Sequence, residues 1–458
     1  MQLLLLAGLS ASLWAKSSKP TEKKEDKESR GNCGYPNYCA RTDRKTEPYP
    51  KTPPALGHAG SIITDPTFGS RILRVTDELS NRNRPDISFQ TPASAEQNTW
   101  NRDSTRFYVL SGGGRITLFK FNPANLSATL IGMPQLKWRG GAQFSYSDPD
   151  ALYGLAGSPP VFEKYDVDKD KASTIHDPAN CLKMDKSLWG YDITVSADDR
   201  RFMAVIGPRQ DASNIVYVYD RERGCRWYDT QTGEIGGQWG PKGKASITEP
   251  YFMHNARMSK SGKFIYITST KRGSSGVWDL ETTNISPCFA DAQLQCGGHR
   301  TMGYSHLVNP SLRDHPLDLL SRRLDRVGAH FRLLPDVSKS TSWYDQHLSW
   351  NNADPDDTTP VCFSTYHPTN PDTPGAPLQV DGPWENEIDC IEMDGKGSKI
   401  WRFAHTYSTA RNGFWSTPRG NVSQDGRFFM FTSDWQDQLG NDPRGKGYRT
   451  DVFIVELR

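Results

Sequence analysis

The chain has 458 residues, 39 of them glycine and 31 proline, and its formal charge is +2. A balance so near neutrality, with no basic stripe, argues against a nucleic-acid surface. No apolar run is long enough to span a bilayer, while the length suffices for one large core or for two to three domains.

Met1–Ala15 reads MQLLLLAGLSASLWA. A short apolar run followed by small residues is the pattern of a signal peptide, with cleavage after Ala15, and it implies a secreted or periplasmic protein. Lys16–Asn32 is charged and nearly devoid of apolar residues, so it is expected to be a disordered tether. Cys33–Pro54 forms a Cys-, Tyr- and Pro-rich segment expected to pack on the outside of a main domain covering 55–458. Eight cysteines suit an oxidising compartment. Their connectivity is not fixed by the sequence; the close pairs are Cys33 with Cys39, Cys288 with Cys296 and Cys362 with Cys390, leaving Cys181 and Cys225.

From Arg71 onward the chain is strand after strand. The clearest unit is Asn421–Trp435, NVSQDGRFFMFTSDW: a strand, a tight polar turn and a strongly apolar strand. Weaker copies begin at Asn98, Gln143, Ile193 and Asn255. Repetition at this period signals an all-β propeller, whose blades take roughly 40 to 50 residues each, and the count here is seven. Arg71–Thr76 stands alone before a long loop, and Asp451–Leu457 ends the chain. Their pairing in one blade is expected to close the ring and remove its open edges. Within blade five, the leucine spacing of NPSLRDHPLDLLSRRLDRV suggests a short helix. Tyr366–Pro383 reads as a long Pro-rich loop in blade six.

The copies align on the residue before each turn: Asn101, Ser147, Ser196, Ser259, Asn351 and Ser423. Four positions earlier stand Gln97, Gln143, Asp192, Asn255, His347 and Arg419, and blade five offers His306. These polar residues alternate with apolar ones, as in a strand with one wet face, and should surround one mouth of the central channel. His254, His306 and His347 can bind a divalent metal such as manganese, calcium or zinc as neutral imidazoles, or move protons near neutral pH. Arg419 offers a fork suited to a carboxylate, or else bridges blades through a carboxylate such as Glu96. An acidic sugar presents a carboxylate beside an abstractable proton. The candidate catalytic set is therefore His347, Arg419, His306 and Tyr304. His254, Gln97, Gln143, Asp192 and Asn255 are candidate substrate ligands. An equal structural explanation is that the polar ring only hydrates the channel. There is no GxSxG elbow, HExxH or P-loop. Ser111–Gly114 (SGGG) reads as a hairpin turn rather than a phosphate cradle.

SQDGRFFMFTSDW, with its echoes SKSGKFIYITS and SADDRRFMAV, resembles the TolB-like propeller repeat. Among enzymes the chain is similar to the secreted oligogalacturonate lyases. That resemblance implies a seven-bladed propeller, an acidic oligosaccharide substrate, a bound metal and β-elimination. In those lyases a Gln and closely spaced His residues before the last blade hold the metal. Here the matching stretch, Phe414–Arg419, has neither. A related class of propeller lyases on sulfated uronic polysaccharides uses His, Tyr and Arg at the channel mouth. His254, His306, Tyr304 and Arg419 suit that pattern loosely. The alternative function is a non-catalytic propeller binding glycan or protein through the same face, and on either reading a monomer is expected.

Overall fold

A computed structural model describes residues 33–458 apart from 82, 248, 271–274, 289–298, 312–314, 334–344, 352, 368–379, 381, 395–398 and 412. The expected signal peptide, the tether over 16–32, Cys296 and most of the Pro-rich loop lie outside the described residues.

Those residues form seven antiparallel sheets arranged as the blades of one propeller. In six of them the strands follow in chain order from the innermost outward. The turn after the inner strand shows why the repeat reads as it does. In blade seven the Ser423 hydroxyl accepts from the Phe428 N–H at 3.1 Å and donates to Asp425 at 2.6 Å. The chain then reverses through Gly426, whose φ is +68°. A Cβ there would lie 2.1 Å from the Tyr35 ring, so glycine meets both a backbone and a packing demand. Ser259 and Ser196 bond Phe264 and Arg201 in the same way, at 3.2 and 2.9 Å.

The ring closes as expected. Blade seven consists of Gly420–Val422, Phe428–Ser433 and Asp451–Glu456, extended by Arg71–Arg74 and then Ile62–Thr64 from the start of the domain. Ile72 pairs with Val455, Leu73 with Ile454 and Arg74 with Phe453. The buried Arg74–Asp451 ion pair, at 2.6 Å, fastens the seam. The outermost strand, Ile62–Thr64, went unread because three residues carry no periodicity.

Apolar faces pack between blades. Leu73, Phe428 and Met430 of blade seven meet Trp100, Phe107 and Phe121 of blade one. The segment after Cys33 adds to this core. Tyr38 packs against Trp401 and Phe403, with its hydroxyl donating to the Gly426 carbonyl at 2.6 Å. Disulfides join Cys33 to Cys39, Cys181 to Cys225 and Cys362 to Cys390. Cys288 is also oxidised, and no described cysteine is free. No described helix is long and apolar enough to cross a membrane.

Blade five departs from expectation. Where the leucine spacing suggested a helix, the chain forms the strands His306–Ser311 and His315–Arg323. Leu319 and Leu320 are both buried, each against a different side of a sheet covered on both faces.

Candidate active site at the channel mouth

Backbone hydrogen bonds across the inner turns fix the register between blades. The anchoring N–H belongs to Asn101, Ser196, Ser259 and Ser423, as read from the sequence. In blade two it belongs to Ser145, which bonds the Ala151 carbonyl because that turn is one residue longer. In blade five it belongs to Gly303, which bonds the His306 carbonyl. The mouth ring is therefore Gln97, Gly141, Asp192, Asn255, His299, His347 and Arg419. Gln143 lies two positions deeper, where its Oε1 accepts from the Val195 N–H at 3.2 Å.

One side of the channel is charge-balanced. Arg257 reaches Glu96 at 3.1 Å and Asp192 at 2.9 Å, and Arg300 lies 3.6 Å from Glu96 and donates to Asn255 at 2.5 Å. Two carboxylates and two guanidiniums cancel, which is what buried charges require. Burial opposes the Arg257 charge, but Asp192 and Glu96 outweigh it and raise the pKa. Glu96 is thus committed to Arg257 and Arg300 and does not bridge to Arg419.

The other side is unbalanced. Arg419 is fully buried. It donates through Nε to the Pro92 carbonyl at 3.2 Å and through Nη1 to Thr417 Oγ1 at 2.9 Å, while Nη2 has no hydrogen-bond partner. No carboxylate among the described residues pairs with it. Burial pushes its pKa down to about 9. Its cover is the one-turn 3-10 helix Gly413–Ser416, whose Phe414 and Trp415 rings lie 4.2 and 4.9 Å from the guanidinium carbon. These rings are themselves 44% and 47% exposed.

His347, on the inner strand of blade six, sits beside this cation. Its ring stacks on His299 at 3.9 Å and on Tyr366 at 5.7 Å, and Nε2 approaches Thr417 Oγ1 at 3.5 Å. Burial first, then His299 and Arg419, hold its pKa well below that of a free imidazole, so it is a neutral base at physiological pH. Asp345 ties the stack together: one oxygen accepts from the Tyr366 hydroxyl at 2.7 Å and the other lies 3.2 Å from His299 Nδ1. Burial and Asp345 raise the Tyr366 pKa, keeping the phenol protonated.

The remaining candidates lie elsewhere. His306 opens the second strand of blade five at the opposite mouth, 3.2 Å from Asp357. Tyr304 is there too, its backbone N–H donating to Asp357 at 2.8 Å. At His254 a register shift between Met253 and Asn255 turns the ring outward, where it meets Asp211 at 2.9 Å. The three histidines thus do not converge on one point. Among the described residues the one tight group of three metal-capable donors is His58, Asp77 and Glu78 at the outer edge of blade seven. Around His347 the donor set does not fit a cation: His299 Nδ1 is engaged by the Gln346 carbonyl at 2.7 Å, and a guanidinium stands alongside. His299 and Tyr366 were missed from sequence. The alternation of HRTMG from His299, ending on a glycine anchor, was the available signal for His299.

Neither a family model nor a curated protein matches the chain. Among solved structures, an oligogalacturonate lyase in complex with manganese aligns over 89% of this chain and 98% of its own, with a TM-score of 0.55 and 14% identity. An oligogalacturonate lyase from Vibrio parahaemolyticus aligns over 89% and 99%, with a TM-score of 0.56 and 10% identity. A TolB from Acinetobacter baumannii matches over 58% and 60%, with a TM-score of 0.33 and 14% identity. The chain shares the seven-bladed fold of the two lyases.

Proposed function

We propose that this is an extracytoplasmic, carbohydrate-active propeller that cleaves uronic glycans by β-elimination at the channel mouth. The observation that carries the reading is Arg419, a buried guanidinium with a vacant donor and no described anionic partner, set beside a neutral imidazole. An uncompensated buried charge costs several kcal/mol and is explained if a ligand carboxylate completes it. In the reaction, Arg419 Nη2 binds the uronate carboxylate and stabilises the charge that develops as the adjacent carbon is deprotonated. His347 takes that proton through a ring nitrogen. The electron pair forms the new carbon–carbon double bond as the bond to the leaving glycosidic oxygen breaks, and the Tyr366 hydroxyl supplies that oxygen's proton. No step is assigned to a metal, since the donors beside His347 do not suit one. Substrate reaches Arg419 by displacing the Phe414 ring, which lies 4.2 Å from the guanidinium carbon, while Trp415 stays beside the mouth.

The second reading, a non-catalytic glycan- or protein-binding propeller, is favoured by the Phe414–Trp415 cover, beneath which His347 and Arg419 are buried. Incubation with a panel of uronic polymers, followed by the ultraviolet absorbance of unsaturated products, separates the two. A rise insensitive to chelator is expected for the lyase. No rise from any polymer, with or without added divalent metal, supports the binder.

A further inference from the structure

Two cavities lie beside this mouth, of about 370 and 420 Å³, and both are bordered by Leu110, Gly113, Gly114 and Trp415. Each is within the size range of small-molecule sites, and together they form one groove passing over Trp415. The first reaches the channel mouth at Gln97 and Asp192; the second runs outward to Arg444, Lys446 and Tyr448 on blade seven. The SGGG hairpin forms the shared wall. Gly113 and Gly114 have φ of +94° and +81°, and a Cβ on either would enter open space. At Gly112 a Cβ would meet the Arg444 guanidinium carbon at 2.7 Å, so the bare backbone lets Arg444 lie against the hairpin.

The charge along the groove is one-sided. Arg115, Arg444 and Lys446 line it, and its one acidic lining residue, Asp192, is neutralised by Arg257. Arg444 is held in place and balanced by Asp442 at 2.6 Å, so the uncompensated positive charge is that of Arg115 and Lys446. Arg115 and Lys446 are exposed and have no ion-pair partner among the described residues. Between these cations stand the exposed Trp415 ring and Tyr448, which are faces for a sugar ring to stack on.

We infer that this groove is an extended subsite that binds further anionic sugars of the same polymer, through Arg115 on one side of Trp415 and Lys446 with Arg444 on the other. The inference rests on the proposed function only for the polymer being the one bound at Arg419; the cationic and aromatic walls by themselves select an acidic glycan over a neutral one. Carboxylate and sulfate ester share the required charge. The full-length protein and its Lys446→Glu and Arg115→Glu variants, both altered at exposed positions that bear no core, are tested on ice for retention by polygalacturonate, by a sulfated uronic polymer and by a neutral glucan. Each reversal is expected to weaken retention by an acidic polymer on the order of tenfold, and less so at high salt, whether or not any polymer is cleaved. Weakening on the carboxylate polymer alone, the sulfated polymer alone or both supports the subsite and identifies its anion. Unchanged retention by both acidic polymers, or an equal loss on the neutral glucan, overturns it. A protein that retains acidic polymer through these residues but yields no unsaturated product would sink the lyase and leave the groove standing.

Discussion

Replacing Arg419 with methionine should make the protein more stable and inactive at once. The guanidinium is buried and Nη2 is unsatisfied. A fall of its pKa from the ordinary value to about 9 corresponds to about 5 kcal/mol held against the charged form. Against this stand two hydrogen bonds, to the Pro92 carbonyl and Thr417 Oγ1, each worth about 1.5 kcal/mol. The contacts with the Phe414 and Trp415 rings add roughly 1 kcal/mol. The balance leaves about 1 kcal/mol in favour of the variant, since methionine keeps most of the packing volume. The pH dependence carries the sign. A cation whose folded pKa is depressed binds fewer protons folded than unfolded above that pKa, so wild-type stability rises as pH climbs through about 9. The gap between variant and wild type should therefore be constant at lower pH and narrow above it. The assay is chemical denaturation of both proteins at neutral pH and in the alkaline range, with and without galacturonate. Galacturonate should stabilise the wild type alone. A variant that is less stable at neutral pH by several kcal/mol would show that Arg419 is already compensated, and the argument for an anion site would fall.

His347→Ala should lower turnover by about 10²- to 10⁴-fold while circular dichroism stays native. In the wild type, the acid limb of kcat/KM should lie below the titration of free imidazole, because burial, His299 and Arg419 hold the ring neutral; a limb at or above that range would argue against His347 as the base. Asp434 is buried, its pKa pushed up to about 7, with Thr409 bonding both oxygens. A carboxylate with a raised folded pKa loses stability as pH rises from the unfolded value through the folded one, so Asp434→Asn should stabilise at pH above about 7 and have little effect in acid, as read from thermal melts. Removing residues 1–76 deletes the two closing strands, Ile62–Thr64 and Arg71–Arg74, and exposes the edge of Asp451–Glu456. Gel filtration should then show aggregates or insoluble chain; a stable monomer would mean the seam is dispensable.

The fold was legible because the turn chemistry is local. A Ser or Asn side chain caps the turn at Asn101, Ser196, Ser259 and Ser423, bonding a backbone N–H five residues on, so the motif repeats visibly. Where the cap is not local, the register was lost. In blade five the acceptor for the Tyr304, Ser305 and His306 N–H groups is Asp357, supplied by the next blade. With Gly303 in the anchor position no Ser or Asn cap marks the turn, and only the weak alternation of HRTMG points to His299 rather than His306. In blade two one extra turn residue displaced Gln143 in the same way. The nearness of His347 to Arg419 followed from equal offsets in adjacent blades. Two features of their surroundings did not follow: the cover by Phe414 and Trp415, which comes from a loop without periodicity, and the commitment of Glu96 to Arg257 and Arg300, which is set by contacts across the channel.

The most direct test of the account is a crystal structure of the His347→Ala protein with a bound oligouronate. A sugar carboxylate is expected within hydrogen-bond distance of Arg419 Nη2, with the Phe414 ring displaced, the sugar's acidic C–H facing the space vacated by the imidazole, and the Tyr366 hydroxyl near the glycosidic oxygen. An oligouronate held elsewhere, with Phe414 and Trp415 still closed over an unpartnered Arg419, would contradict it.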